Sequence, residues 1–121
     1  MGTYTIAVVG ESFRNADGSS RQREIGRCHE GEPVTLAREP DNPHDANCIR
    51  VISRRGVQIG NIGRDDAEWM AERIDKGRPV AAAIKGINEG GRGLAGVVLL
   101  VSTDEEGLPA APRSWLSRLF G

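Results

Sequence analysis

The chain alternates in short stretches. Residues 3–10, Thr-Tyr-Thr-Ile-Ala-Val-Val-Gly, are β-branched and aromatic and predict a first strand. Residues 33–38 and 48–52 predict two more. An Arg54-Arg55-Gly56 corner then folds the chain into a return strand over 57–62, with Val57 and Ile59 on one side. Residues 79–87 and 94–101 complete the set, separated by the loop Asn88-Glu-Gly-Gly-Arg-Gly93. That loop lacks a Lys-Ser/Thr pair and a following helix, so it is not a P-loop. One segment has the other period: Ala67, Met70, Ala71 and Ile74 recur at helical spacing over 65–77. Asp65-x-x-Glu68 is expected to cap its start, Glu72 and Lys76 to pair one turn apart, and Gly77 to stop it. Residues 15–20 are turn-forming by composition, and 21–27 read as a strand or as more of that loop. About six strands, one α-helix and many turn residues predict a mostly β fold, a small and partly open β-barrel.

Composition changes beyond Ser102. The barrel domain is expected over 1–103, an acidic, proline-bearing linker over 104–112, and a short amphipathic tail over 113–121. Trp115, Leu116, Leu119 and Phe120 give the tail an apolar face that either docks on its own domain or enters a partner's groove.

Bulk properties narrow the class. A chain of 121 residues with 38% hydrophobic and 27% charged residues fits one globular domain. No apolar run reaches the length of a membrane-spanning helix, and no basic region precedes the first apolar stretch as in a secretory signal. Cys28 and Cys48 form no disulfide pattern, which fits a reducing, cytoplasmic setting. The net charge is −1, but Lys76 and Lys85 are the only lysines among 16 basic residues. Arginine forks suited to phosphates and base faces are therefore abundant. Acids crowd the 65–77 helix, which leaves room for a positive face elsewhere.

Candidate chemistry centres on residues 39–47. Pro40 and Pro43 stiffen this loop, which presents Asn42, His44, Asp45 and Asn47. These polar groups either bond their own turn or form a binding surface. His29 and His44 are the only histidines, and Cys48 falls at a buried strand position, so a catalytic set is poorly supplied. No Cys or His pair has zinc spacing; no metal and no cofactor is expected. Binding is better supplied. Phe13 follows the first strand, where a ring either stacks on a base or packs in the barrel, and Arg14 and Arg64 are phosphate candidates.

Val8-Val-Gly10, Gly31-Glu-Pro-Val-Thr-Leu36, Arg38-Glu-Pro-Asp-Asn-Pro-His-Asp-Ala-Asn47, Ile49-x-Val51 and Gly56-x-x-Ile-Gly60 together resemble the HIRAN domain. That family occurs in eukaryotic helicase-like transcription factors and as small stand-alone bacterial proteins, and this chain resembles the latter type over about residues 5–87. The resemblance implies an OB-like or SH3-like barrel that binds the 3′-hydroxyl end of single-stranded DNA. Asn42 and Asp45 would then read the terminal nucleotide, and Phe13 would be the stacking ring. His44 stands where the helicase version has tyrosine, Arg64 where it has lysine and Asn61 where it has histidine. Ser12 replaces a basic residue, and no aromatic lies in 88–93. The expectation is a monomeric, non-enzymatic module for single-stranded DNA in replication or repair. The alternative is a protein-interaction adaptor working through the tail.

Overall fold

The computed structural model describes residues 2–90 and 93–108. Six antiparallel strands, β1 (Thr3–Val9), β2 (Pro33–Arg38), β3 (Ile49–Ile52), β4 (Gln58–Ile62), β5 (Ala81–Glu89) and β6 (Ala95–Ser102), form a closed barrel in the order β1-β4-β3-β2-β5-β6. Among the described residues two helices accompany it, α1 (Arg21–Ile25) and α2 (Arg64–Asp75). The expected mostly β barrel is present, and it closes where a partial opening was expected. Closure runs through a short seam between β1 and β4, at Val8 opposite Ile62 and Val9 opposite Asn61.

Gly60 makes that seam possible. A Cβ there would stand 2.6 Å from the Val9 carbonyl oxygen and collide with the Val8 side chain. The glycine of the Gly56-x-x-Ile-Gly60 motif is thus a site of close backbone approach.

Inward positions alternate along the strands. Ile6, Val8, Ile49, Val51, Ile59, Ile84, Val97, Leu99 and Val101 build the core, which α2 completes with Ala67, Met70 and Ala71. Burial of this stripe, more than intrinsic helical preference, fixes α2 against the barrel. Outside the core, Tyr4 packs on Trp69 with ring centroids 5.0 Å apart. Arg38 forms a two-pronged ion pair with Asp75 at 2.9 and 3.1 Å, which ties the end of α2 to β2.

Two local expectations are corrected. Segment 21–27, expected as strand or loop, contains helix α1. Ser20 caps it, its hydroxyl accepting from the Arg23 amide at 3.2 Å. Arg21, Glu24, Ile25 and Cys28 are all buried, at the i, i+3, i+4, i+7 spacing of a helical face. Two of those four are charged, so the hydrophobic pattern alone hides the helix. The second correction concerns the start of α2. Its N-cap is Gly63, with no side-chain cap, so the Asp65–Glu68 box does not form. Asp65 lies inside the first turn, and Asp66 instead accepts from the Trp69 indole at 3.2 Å. Lys76 closes the helix and Gly77 follows at φ 71°, the stop expected from its position.

A polar cluster of buried Glu24, Glu32 and Ser53 around the more exposed Arg55 joins α1 to the turn before β2 and the β3–β4 hairpin. Arg55 donates to Glu24 at 2.7 Å and to both Glu32 oxygens at 3.0 and 3.2 Å; Ser53 donates to Glu24 at 2.6 Å. Burial opposes ionisation of Glu32. Hydrogen bonds from Arg55 and the His29 amide, with the charges of Arg55 and Arg54, outweigh it and hold the carboxyl below its ordinary value.

Past β6 the chain folds back, with Ser102 donating to the Gly107 carbonyl at 2.7 Å. The tail residues Trp115, Leu116, Leu119 and Phe120 lie outside the described residues.

Gly60→Ala is expected to destabilise the protein by about 2 kcal/mol or more, because overpacking here meets backbone and not a flexible side chain; urea unfolding measures it. A depressed carboxyl contributes stability that is present above its ordinary value of 4.5 and is lost as pH falls through the lowered folded-state value. Glu32→Gln should therefore be less stable than the parent at neutral pH, with the gap narrowing in acid unfolding series below 4.5.

Candidate nucleic-acid interface

The end of β1 and the middle of β4 carry the first part of the site. After Val9 the chain turns, and the Phe13 amide donates to the Gly10 carbonyl at 3.2 Å. This turn leaves Phe13 67% exposed, the largest exposure among the described large hydrophobics. Two tethers hold the turn to β6. Glu11 accepts from the Val97 amide at 2.9 Å, and the Gln22 side chain bonds both the carbonyl and the amide of Ala95, at 2.9 and 2.8 Å.

Beneath the turn lies the Arg21 guanidinium. It donates to Asn15 Oδ1 at 2.7 Å, to the Gly10 carbonyl at 2.8 Å and to Asn61 Oδ1 at 3.3 Å. Burial lowers its pKa, with nearby Cys48 acting in the opposite sense, yet an arginine stays charged. Asn61 also donates to the Cys48 sulfur at 3.4 Å, which reaches the base of the 39–47 loop. A Cβ on Gly10 would stand 3.5 Å from both Phe13 Cδ2 and Asn61 Oδ1. Asn61 therefore links the Phe13 turn above to the base of the loop.

The loop is stapled by its own backbone. The Glu39 amide donates to the Cys48 carbonyl at 2.9 Å, and the Cys48 amide to the Asp45 carbonyl at 3.1 Å. Asn42 Oδ1 accepts from the amides of His44 and Asp45 at 2.8 and 3.1 Å, and its Nδ2 donates to Glu39 at 2.6 Å. Asp45 Oδ1 accepts from the Asn47 amide at 2.9 Å. The polar residues thus do shape their own turn. Asn42 spends its amide in doing so, whereas Asp45 keeps Oδ2 unbonded among the described residues. His44 is exposed, and Arg64, at the start of α2, donates to its carbonyl at 2.9 Å. Loop and helix entrance are thereby joined.

The structure brings Phe13, Asn61, Asn42, His44, Asp45 and Arg64 onto linked segments. Arg14 departs from the group and donates to the Gly18 carbonyl at 3.1 Å. Arg21, Asn15 and Gln22 are the residues that pattern reading missed as organisers, since their partners are distant in sequence. Both thiols are buried, and burial pushes each of them up, away from the reactive thiolate. Among the described residues no three His, Cys, Asp or Glu side chains are arranged to hold a metal ion.

These features define a small antiparallel barrel module with an exposed ring and a stiff polar loop on one surface. The chain belongs to the HIRAN domain family, whose model matches residues 1–89. Over 50 residues, 41% of this chain, it is 46% identical to the Arabidopsis thaliana SWI/SNF-related matrix-associated actin-dependent regulator of chromatin subfamily A member 3-like 1. Over a segment of the same length it is 42% identical to the mouse helicase-like transcription factor. The matched segments are 6% and 5% of those two relatives' lengths. Among solved structures, the HIRAN domain of human HLTF superposes with a TM-score of 0.61 at 23% identity, over 87% of this chain and 78% of that one. A Lactobacillus plantarum protein superposes at 0.63 and 22% identity, over 84% and 99%. Both likenesses confirm the fold.

Arg21→Met is expected to cost about 2 kcal/mol, because it removes charge-assisted bonds to three oxygens and leaves Asn15 Oδ1 without a donor among the described residues. Arg23→Gln, two residues along on the exposed side of α1, should stay within about 0.5 kcal/mol of the parent. Equilibrium urea unfolding of the two variants provides the comparison.

Proposed function

We propose that this chain is a non-catalytic module that binds single-stranded DNA and prefers a free 3′-hydroxyl end. The observation that carries this reading is Phe13, a ring 67% exposed and held there by a tethered turn beside Asn61 and the polar loop. An exposed aromatic on a rigid turn is a stacking platform for a base, worth about 1–3 kcal/mol per stacked base. His44 offers a second, weaker π-face.

The loop supplies the end preference. The Asp45 carboxylate has an unbonded oxygen able to accept from a terminal hydroxyl, and its charge repels a phosphate at the same position. Asn42 contributes by holding the loop in shape, its amide already engaged with Glu39, His44 and Asp45. Arg64, fixed against the His44 carbonyl, presents its remaining N–H groups to a backbone phosphate. Asn61 lies against the Gly10 turn that carries the ring. Membership of a family shared with a helicase-like transcription factor is consistent with a role in DNA replication or repair inside the cell.

Labelled oligonucleotides ending in a 3′-hydroxyl or a 3′-phosphate, titrated at low salt, test the reading. The hydroxyl end should bind more tightly. Asp45→Asn should abolish the difference between ends, Arg64→Gln should weaken both about equally, and Phe13→Ala should cost about 1–3 kcal/mol on either. Equal binding of the two ends by the unmodified protein would falsify end recognition, and no binding of either would remove the DNA assignment as well.

A further inference from the structure

A second polar surface lies beside Phe13. Arg14, Arg23 and Arg27 line an open cleft of about 290 Å³ together with Ser19, Ser20 and Val57. All three arginines are exposed, and among the described residues none forms an ion pair. Arg23 and Arg27 are one helical turn apart, with the Arg27 amide bonded to the Glu24 carbonyl at 2.9 Å, so both project from the α1 segment. Arg14 is anchored to the Gly18 carbonyl across the 15–19 turn at 3.1 Å.

Two acids are near, and each is engaged. Glu24 reaches the cleft wall, but its carboxylate is buried, bonded to Ser53 and Arg55. Asp17 bonds the Ser19 amide and hydroxyl at 2.9 and 2.6 Å. Glu24 is paired with Arg55, whereas Asp17 bonds only neutral groups and keeps its charge; three guanidinium forks outnumber it and leave the cleft positive. Such a surface suits an anion with several oxygens and no requirement for a particular base.

Two elements place the cleft next to the ring. Arg14 follows Phe13 in the chain, and α1, which carries Arg23, holds the Phe13 turn through Arg21 on the Gly10 carbonyl and Gln22 on the Glu11 carbonyl at 2.8 and 3.2 Å. We infer that the Arg14–Arg23–Arg27 cleft is a second contact site, taking backbone phosphates of the single strand on the 5′ side of the nucleotides held at Phe13 and the loop. This rests on the single-stranded DNA reading above and extends its footprint. Here α1 has a double role: its buried side organises the Phe13 turn through Arg21, and its exposed side tracks the strand.

The test compares 3′-hydroxyl oligonucleotides of about four and about twelve nucleotides, bound by the parent and by the Arg23→Gln/Arg27→Gln double variant. A third ligand is a four-nucleotide end carrying an abasic 5′ extension. The parent should bind the longer strand more tightly and keep that gain with the abasic extension. The double variant should lose about tenfold on the long strand, with its log K against log salt slope reduced by about 1.4, and bind the short strand as the parent does. Circular dichroism should show it folded, since neither side chain has a hydrogen-bond or ion-pair partner among the described residues. Parent and double variant alike on the long strand would overturn the inference and leave the DNA reading standing. Equal weakening on both lengths would overturn it as a general charge effect. Loss of the gain on the abasic extension would overturn it in favour of base contacts. A parent that binds no oligonucleotide would overturn both.

Discussion

The interaction on which the candidate interface depends is the buried Arg21 guanidinium. Its partners are neutral oxygens on Asn15, Gly10 and Asn61, and no carboxylate among the described residues neutralises it. Burying a cation is costly, and hydrogen bonds to charged groups return more than neutral ones. The arrangement is tolerable because the donors lock three otherwise independent pieces together: the turn after β1, the 15–19 loop and β4. It also leaves a fixed positive centre beneath the exposed ring, where solvent screens it poorly. A structural pin and a local field come from the same side chain.

Helix α1 is too short to be stable by itself, since nucleating a helix outweighs what one turn returns. Its stability is tertiary. Arg21 reaches the β1–β4 seam, Gln22 grips β6 at Ala95, Glu24 meets Arg55 on the β3–β4 hairpin, and Ile25 enters the core. The two buried charges have different environments. Glu24 shares Arg55 with Glu32 in a cluster whose charges offset one another, as structural ion networks do. Arg21 has no such counter-charge among the described residues, and of the two it alone lies beneath the surface proposed to meet DNA.

Strands were legible because their alternation is plain: Ile49 and Val51, or Val97, Leu99 and Val101, face one way and the residues between them the other. The motif at 39–47 was legible too, since Pro40 and Pro43 announce a rigid turn. What escaped has a common cause. Helix α1 buries Arg21 and Glu24 at two of its four inward positions, so a search for apolar periodicity sees a polar loop. The cap of α2 escaped because Gly63 carries no side-chain signal and Asp65, a good cap by type, lies two positions too late. Barrel closure turns on Gly60, whose significance appears only when Val8 and Val9 are placed against it. Within the site, Phe13 was readable as a ring at a strand end, but not as exposed; that follows from Glu11 and Gln22 holding the turn, bonds that span most of the chain.

A net charge of −1 would ordinarily argue against a nucleic-acid ligand, and the pairing pattern removes the objection. Many acids are cancelled where they stand: Asp75 by Arg38, Glu72 by Lys76, and Glu24 and Glu32 by Arg55 and Arg54 together. Paired charges produce fields that fall off within a few ångströms, whereas unpaired ones act over a Debye length, about 8–10 Å in ordinary buffer. Among the described residues, Arg14, Arg23, Arg27 and Arg64 have no ion-pair partner, and buried Arg21 has none beneath Phe13. A strand lying along Phe13 would meet that set and not the molecular average. For a small domain close to neutrality, the placement of committed and uncommitted charge decides what it attracts, and here the uncommitted cations extend from the α1 cleft past the exposed ring to the entrance of α2.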